Sequence, residues 1–387
     1  MKTRHDIIFS DSGNMKQLPE ESVDLLVTSP PYPMIEMWDG MFSQQSASVK
    51  KSLEKGDGEK AFEIMHKILD KTWKEAYRVL KKGGFACINI GDATRTLNGN
   101  FVLYSNHSRI SRTMIELGFS TLPCILWRKQ TNAPNKFMGS GMLPAGAYVT
   151  LEHEYILLFR KGPKRDFTKE EDKQIRRESA IFWEERNIWY SDIWFDVKGT
   201  PQALKDKNGR TRSAAYPFEL PYRLISMYSA KNDVVLDPYL GTGTTTAAAM
   251  ASGRNSIGYE LDKNLNARID QIKDVIIPTS IQINRERIMR HLDFVIDRLK
   301  TKGGLKHENK YYRFPVMTSQ EKEIILPDPV NIEKLEEGLF EISYSKQPQK
   351  EFCKDWAAML KATDLELVAK NLRNNVSQKK MKQKSLF

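Results

Sequence analysis

Cysteine is scarce in this 387-residue chain: only Cys87, Cys124 and Cys353 occur, far apart. An odd number at such distances makes a poor disulfide framework, and no pair stands at metal-ligand spacing. A reducing, cytoplasmic setting is therefore expected. The six histidines are also isolated, none standing with an acid or a cysteine at ligand spacing, so no metal is assigned. No apolar run approaches the roughly 20 residues that cross a bilayer, so no membrane partner is expected. Residues 1–12 are broken by His5, Asp6 and Asp11 and do not read as a signal peptide. No internal repeat and no phosphate-loop pattern is present.

What is present is ordinary in bulk and unusual in charge. Hydrophobic residues make up 40% and charged residues 28%, which leaves enough apolar side chain for a real core. The length suggests two domains, or one large domain with an appendage. The formal charge of +11 attracts polyanions, so nucleic acid or an anionic membrane surface becomes a candidate partner. Charge alone does not separate that reading from an ordinary basic enzyme.

Residues 23–27, VDLLV, read as a short buried parallel strand, with the run Thr28-Ser29-Pro30-Pro31-Tyr32 in the loop at its carboxyl end. Residues 43–60 are polar and read as loop or a mobile helix. An apolar face through Phe62, Met65, Leu69, Trp73, Ala76 and Leu80 predicts a helix over 61–81, stopped at Gly83-Gly84. Strands follow at 85–90, 121–127 and 154–159, with a helix near 109–117 and a Gly/Pro/Asn-rich loop over 132–146. Residues 161–213 break the rhythm with charge and aromatics. Strands at 234–236 and 256–259 then flank 244–252, the start of a small-residue helix. Helical periodicity returns at 285–299 and 356–372, and 379–384 form a basic tail. The alternation predicts an α/β fold on a mainly parallel sheet.

The stretch Val234 through Thr245, VVLDPYLGTGTT, runs strand, acid, glycine turn, helix. Gly241 and Gly243 let the backbone approach a ligand closely. The spacing is not G-x-G-x-x-G, and no lysine follows the second glycine. An acid at the turn, Asp237, suits a ligand with a cationic end. Glu260 ends the next strand roughly 20 residues past the turn, where an acid takes ribose hydroxyls. Together these point to nucleoside binding.

TSPPY followed much later by DPYLGTGTT resembles the amino-methyltransferases that modify DNA at cytosine N4 or adenine N6, in the beta-class order. Residues 84–92, 153–161 and 216–221 match that family's layout, and the resemblance covers roughly 5–265 apart from insertions. It implies a Rossmann-like methyltransferase sheet with S-adenosylmethionine as cofactor and double-stranded DNA as partner, the target base flipped out of the duplex. It implies that Ser29 Oγ and the Pro30 carbonyl accept the two amino protons while Tyr32 stacks on the base. Two prolines stiffen that loop. Cofactor contacts are expected from Asp237, Pro238, Gly241, Gly243, Thr244, Thr245, Glu260, Phe218 and Asp11. The family's adenine enzymes mostly carry Asp or Asn where this chain has Ser29, so cytosine N4 is the expected target and adenine N6 the rival. A non-catalytic DNA-binding regulator is the rival from another class. Carbon-5 chemistry needs a thiol nucleophile, and Cys124 lies inside a predicted strand.

The expected organisation is 1–160 as the catalytic half, 161–213 as a target-recognition insertion, 214–277 as the cofactor half, and 278–387 as a mostly helical extension. Arg128, Lys129, Arg176, Arg177 and Arg186 are the candidate DNA contacts, with Arg210 and Arg212 behind them. Trp194 is expected to pack rather than stack on a base. The state is read as monomer or homodimer. By analogy the chain is the modification half of a restriction system, with any endonuclease on a separate chain.

Overall fold

The computed structural model describes residues 1–129, 146, 148–198, 204–205, 211–212, 216–354 and 364–370. The expected loop at 132–146, Arg210 and the basic tail lie largely or wholly outside them.

Ten strands form the main sheet: β1 (Lys2–Phe9), β2 (Val23–Thr28), β3 (Leu80–Ile90), β4 (Phe119–Arg128), β5 (His153–Lys161), β6 (Ile193–Trp194), β7 (Val234–Asp237), β8 (Asn255–Glu260), β9 (Pro329–Glu336) and β10 (Leu339–Tyr344). Their order is β9-β10-β1-β8-β7-β2-β3-β5-β4-β6. The five central strands, β1, β8, β7, β2 and β3, are mutually parallel, while β5 and β10 run antiparallel to their neighbours. From β2 the chain moves outward to β3; from β7 it moves the other way, to β8. β2 and β7 therefore flank the switch point, and their carboxyl ends open one crevice, the usual ligand position in open α/β sheets.

The central strands are buried on both faces, which is why they read as short apolar runs. β2 is buried at every position. α1 (Asp39–Gln45), α2 (Ala47–Glu54), α3 (Gly58–Val79) and α4 (Asn106–Glu116) lie on one face. α3 starts where the Asp57 carboxylate accepts the Lys60 amide at 3.2 Å, and it buries Phe62, Met65, Leu69 and Trp73. Each such side chain contributes roughly 1.5–3 kcal/mol of transfer free energy. The other face is covered by α7 (Glu219–Tyr228) and α8 (Thr244–Ser252), whose core includes Leu220, Leu224, Met250 and Trp194. Trp194 packs, as expected.

Four regions add to the sequence reading. β1 was hidden by His5 and Asp6, but His5 is fully buried between the Thr3 and Ser256 hydroxyls, each at 2.8 Å. Burial drives its pKa down to about 3, so it sits there neutral. Of the two readings of 43–60, loop or helix, the helical one holds over most of it: α1 and α2 seat Phe42 and Val49 in the core. Among the described residues the extension holds strands as well as helices. The short α9 (Asn266–Asp270) leads into α10 (Ile272–Thr301), which continues through Pro278, and the hairpin β9–β10 then adds to the sheet beside β1.

The fourth concerns 161–213. Its helices α5 (Glu170–Glu178) and α6 (Trp183–Trp189) pack beneath the sheet against α10 and residues 311–326, around Phe182, Ile288, Leu292, Tyr312 and Phe314. Buried polar joints pin them. Glu185 grips the Arg287 guanidinium at 2.6 and 2.7 Å, and Glu184 meets His291 at 2.9 Å.

Candidate active site

The loop after β2 and the loop after β7 are held together by one carboxylate. Asp237 is buried and accepts the Thr28 hydroxyl at 2.6 Å, the Tyr239 amide at 3.0 Å, the Tyr216 hydroxyl at 3.2 Å and the Thr245 hydroxyl. Burial raises its pKa against the pull of those donors. Every favourable direction around the carboxylate is filled by protein, so Asp237 shapes the crevice from behind.

In front of it lies a cavity of about 620 Å³, within the range of small-molecule sites. Of the expected residues, Asp11, Ser29, Pro238, Gly241, Thr244 and Glu260 line it. Among the described residues the wall does not include Asp237, Gly243, Thr245 or Phe218. Phe218 instead stacks on Tyr222 with centroids 5.6 Å apart, and Tyr216, two residues earlier, is the one that reaches the cavity. Gly243 serves packing: its φ is 86°, and a Cβ there would come 2.5 Å from Ile272 Cδ1 on α10. Glu260 closes the glycine turn by accepting the Gly241 amide at 2.8 Å through one oxygen and the Asp262 amide at 2.8 Å through the other. Its lone pairs toward the cavity stay available, and burial raises its pKa. The Asp11 carboxylate accepts the Gly13 amide at 2.8 Å.

Sequence reasoning missed several wall residues. Trp38 and Met41 reach the cavity from the α1 region, and Tyr239 stands over it with its hydroxyl 2.8 Å from Thr72. Tyr259 also lines it, and its Oη is buried without a hydrogen-bond partner near Glu75 and Arg78, outside the wall. The cavity thus combines aromatic walls with three acids, Asp11, Glu260 and Asp262.

The TSPPY loop borders this cavity through Ser29 and Pro31. Its far side meets β3 and β5. Tyr32 Oη lies 3.1 Å from Ser29 Oγ, 2.9 Å from Glu154 Oε2 and 2.8 Å from Asn89 Nδ2. Asn89 also donates to Glu154 at 2.7 Å, and Lys129 meets the other Glu154 oxygen at 2.6 Å. Burial, then the charge of Glu154, raises the Tyr32 pKa well above its ordinary value. Asn89 and Glu154 did carry a signal. Each is a polar residue beside an apolar run of its strand, at the end nearest the loop.

The basic candidates divide. Lys129 and Arg128 stand at the carboxyl end of β4, on the cavity side. Arg128 is exposed, 3.0 Å from Glu152 and 6.0 Å from the Phe195 ring. Arg176 and Arg177 stand at the other end of the sheet. Arg176 shares the Phe167 ring with Arg165, which pairs with Asp233 at 2.7 Å and with Asp24 at 3.6 Å, at the starts of β7 and β2. Arg177 is engaged with Glu170 and Gln174. Arg186 is exposed on α6 and bonds Asn187 at 3.2 Å. These contacts hold segment 161–178 at the amino ends of the strands, away from the TSPPY loop. Among the described residues Glu184, His291 and Glu321 approach one another closely enough to share an ion, but Glu184 and the Pro315 carbonyl already occupy both imidazole nitrogens.

A sequence profile for DNA methylases of the N6 and N4 type matches residues 23–271. The Type II methyltransferase M.MthZI of Methanothermobacter thermautotrophicus is 49% identical over 353 residues, covering 91% of this chain and 98% of the relative. M.MjaI, a Type II methyltransferase of Methanocaldococcus jannaschii, is 49% identical over 280 residues, covering 70% and 91%. Among solved structures, TTHA0409 of Thermus thermophilus, described as a candidate DNA modification methylase and crystallised with S-adenosyl-L-methionine, superposes with a TM-score of 0.55. It is 29% identical, and the match covers 70% of this chain and 96% of that one.

Proposed function

The chain belongs to the N6/N4 DNA methylase family, and from that premise we propose that it methylates cytosine N4 within a specific site in duplex DNA. It is a Type II DNA methyltransferase, and its cofactor is S-adenosylmethionine. That cofactor supplies a methyl group on a sulfonium centre. The cavity fits it on its own chemistry. The volume is adequate, aromatic walls suit an adenine ring, Glu260 suits ribose hydroxyls, and Asp11 suits a cationic end.

An exocyclic amine is a weak nucleophile because its lone pair is delocalised into the ring. Two acceptors that take both amino protons favour a pyramidal nitrogen with its lone pair free. Ser29 Oγ and the Pro30 carbonyl are the acceptors in this reading, and the two prolines hold them in place. Tyr32, held by its hydroxyl, offers its ring to the flipped base. Asp237 ties the loop that would hold the base to the loop that would hold the cofactor.

The single observation that carries the proposal is Ser29 on the cavity wall, at the head of a rigid loop. A serine here, where the family's adenine enzymes mostly carry Asp or Asn, supports cytosine. The test is nucleoside mass spectrometry of DNA treated with enzyme and S-adenosylmethionine. N4-methylcytosine is expected; N6-methyladenine in its place would overturn the choice of base.

A further inference from the structure

The catalytic loop ends in a run of hydrogen bonds whose direction is set from its far end. Glu154 is buried on β5, and Lys129 Nζ lies 2.6 Å from its Oε1. An ionised carboxylate only accepts. Its Oε2 takes the Tyr32 hydroxyl at 2.9 Å and Asn89 Nδ2 at 2.7 Å. The one phenolic proton is thereby committed to Glu154. Tyr32 Oη can then only accept from its remaining neighbours, Asn89 Nδ2 at 2.8 Å and Ser29 Oγ at 3.1 Å. Asn89 cannot be turned around, since a flipped amide would set its oxygen against the carboxylate. Its two protons are used at those short distances, leaving 3.4 Å to Ser29 as the weak contact. Ser29 therefore gives its own proton to Tyr32, and its lone pairs are what remain for a ligand.

We infer that Glu154 is a positioning residue that, through Tyr32, fixes Ser29 Oγ as an acceptor only, and so selects a base edge bearing an amino group over one bearing a carbonyl. The inference rests on Ser29 being the residue that meets the base. An N–H edge completes such a serine. A carbonyl edge would set lone pair against lone pair, and mismatched polar edges in a dry site discriminate far more strongly than small differences in size.

The test is Glu154→Gln in the full chain, on duplexes carrying the methylated site as mapped by sequencing. A glutamine amide can donate to Tyr32, which frees the phenolic proton to turn toward Ser29 and the serine proton to turn toward the base. The single-turnover rate is expected to fall about 100-fold, with S-adenosylmethionine affinity by calorimetry within about twofold. The decisive readout is the ratio of Kd values for duplexes with cytosine or with uracil at the target. Glu154→Gln should collapse that preference, and Glu154→Asp, which keeps a carboxylate, should regain part of it. Tyr32→Phe should collapse it as well, and the double variant should be no worse than Tyr32→Phe alone. Because each ratio compares the same two duplexes, the altered pairing of uracil cancels between proteins. A slowed Glu154→Gln enzyme that keeps the wild-type preference has lost only structure, and that result overturns the inference, as does an unchanged rate. If the wild type methylates adenine, the cytosine reading fails separately, and the same ratio is measured with adenine and hypoxanthine.

Discussion

Thr28 and Ser29 leave β2 together, yet their hydroxyls face different partners, Asp237 for one and Tyr32 for the other. Replacing each side should therefore do different damage. Ser29→Ala keeps the cavity and its acids, so cofactor affinity by calorimetry should hold while the single-turnover rate falls about 100-fold or more. Lost affinity with a normal saturated rate would contradict the role given to Ser29. Asp237 was expected from sequence to touch the cofactor; the structure makes it the clamp behind the site. Asp237→Ala leaves buried hydroxyl donors without an acceptor, a loss of about 3 kcal/mol or more in urea unfolding. Weakened cofactor binding with undiminished stability would restore the direct contact instead.

At the scale of elements, the joint between α6 and α10 should make stability depend on pH. Burial alone would lower the His291 pKa, but the hydrogen bond and charge of Glu184 and the Pro315 carbonyl outweigh it and raise the pKa above 6.5. A histidine raised on folding contributes stability fully below its unfolded value and loses it as pH climbs through the folded one. Lys231 works oppositely: burial lowers its pKa to about 7, so its cost is relieved as pH rises. The useful quantity is therefore the difference between wild type and Glu184→Gln. The wild-type advantage in urea midpoint should be largest near pH 6 and shrink toward pH 9; a constant difference would show that His291 does not titrate there. The elements themselves were unevenly legible. α8 was legible at its start, Thr244, because small residues follow the glycine turn there, and Gly253 ends it. β1 and the β9–β10 hairpin were not, because their stability comes from pairing with distant strands and from hydrogen bonds to buried polar residues such as Thr3 and His5. Neither leaves a local pattern. The two loops of the site were legible as strings, while the polar Asn89 and Glu154 beside apolar runs could be tied to the site only once distant strands stood side by side, and Tyr216 only once its loop was placed.

For the whole molecule, the two ends of the parallel strands divide the labour. The carboxyl ends carry the cavity, the TSPPY loop, Arg128 and Lys129; the amino ends carry α5 and its arginines. DNA that reaches Ser29 should feel the first set only. Arg128→Ala is expected to weaken DNA binding and reduce the slope of log K against log salt by about 1. The double change Arg176→Ala with Arg177→Ala should leave both unchanged within error in the same titration. Equal effects would mean that DNA wraps to the underside. The position of β1 has a consequence in time rather than space. It is the outermost of the parallel strands, yet its other edge is completed by β10, whose Tyr344 hydroxyl meets Thr3 across 341 residues of chain. On the ribosome the first strand made must wait for one of the last, with an open edge throughout synthesis. Sheet closure is then a late event, and chains stalled before residue 339 carry the cofactor loops but an unfinished border.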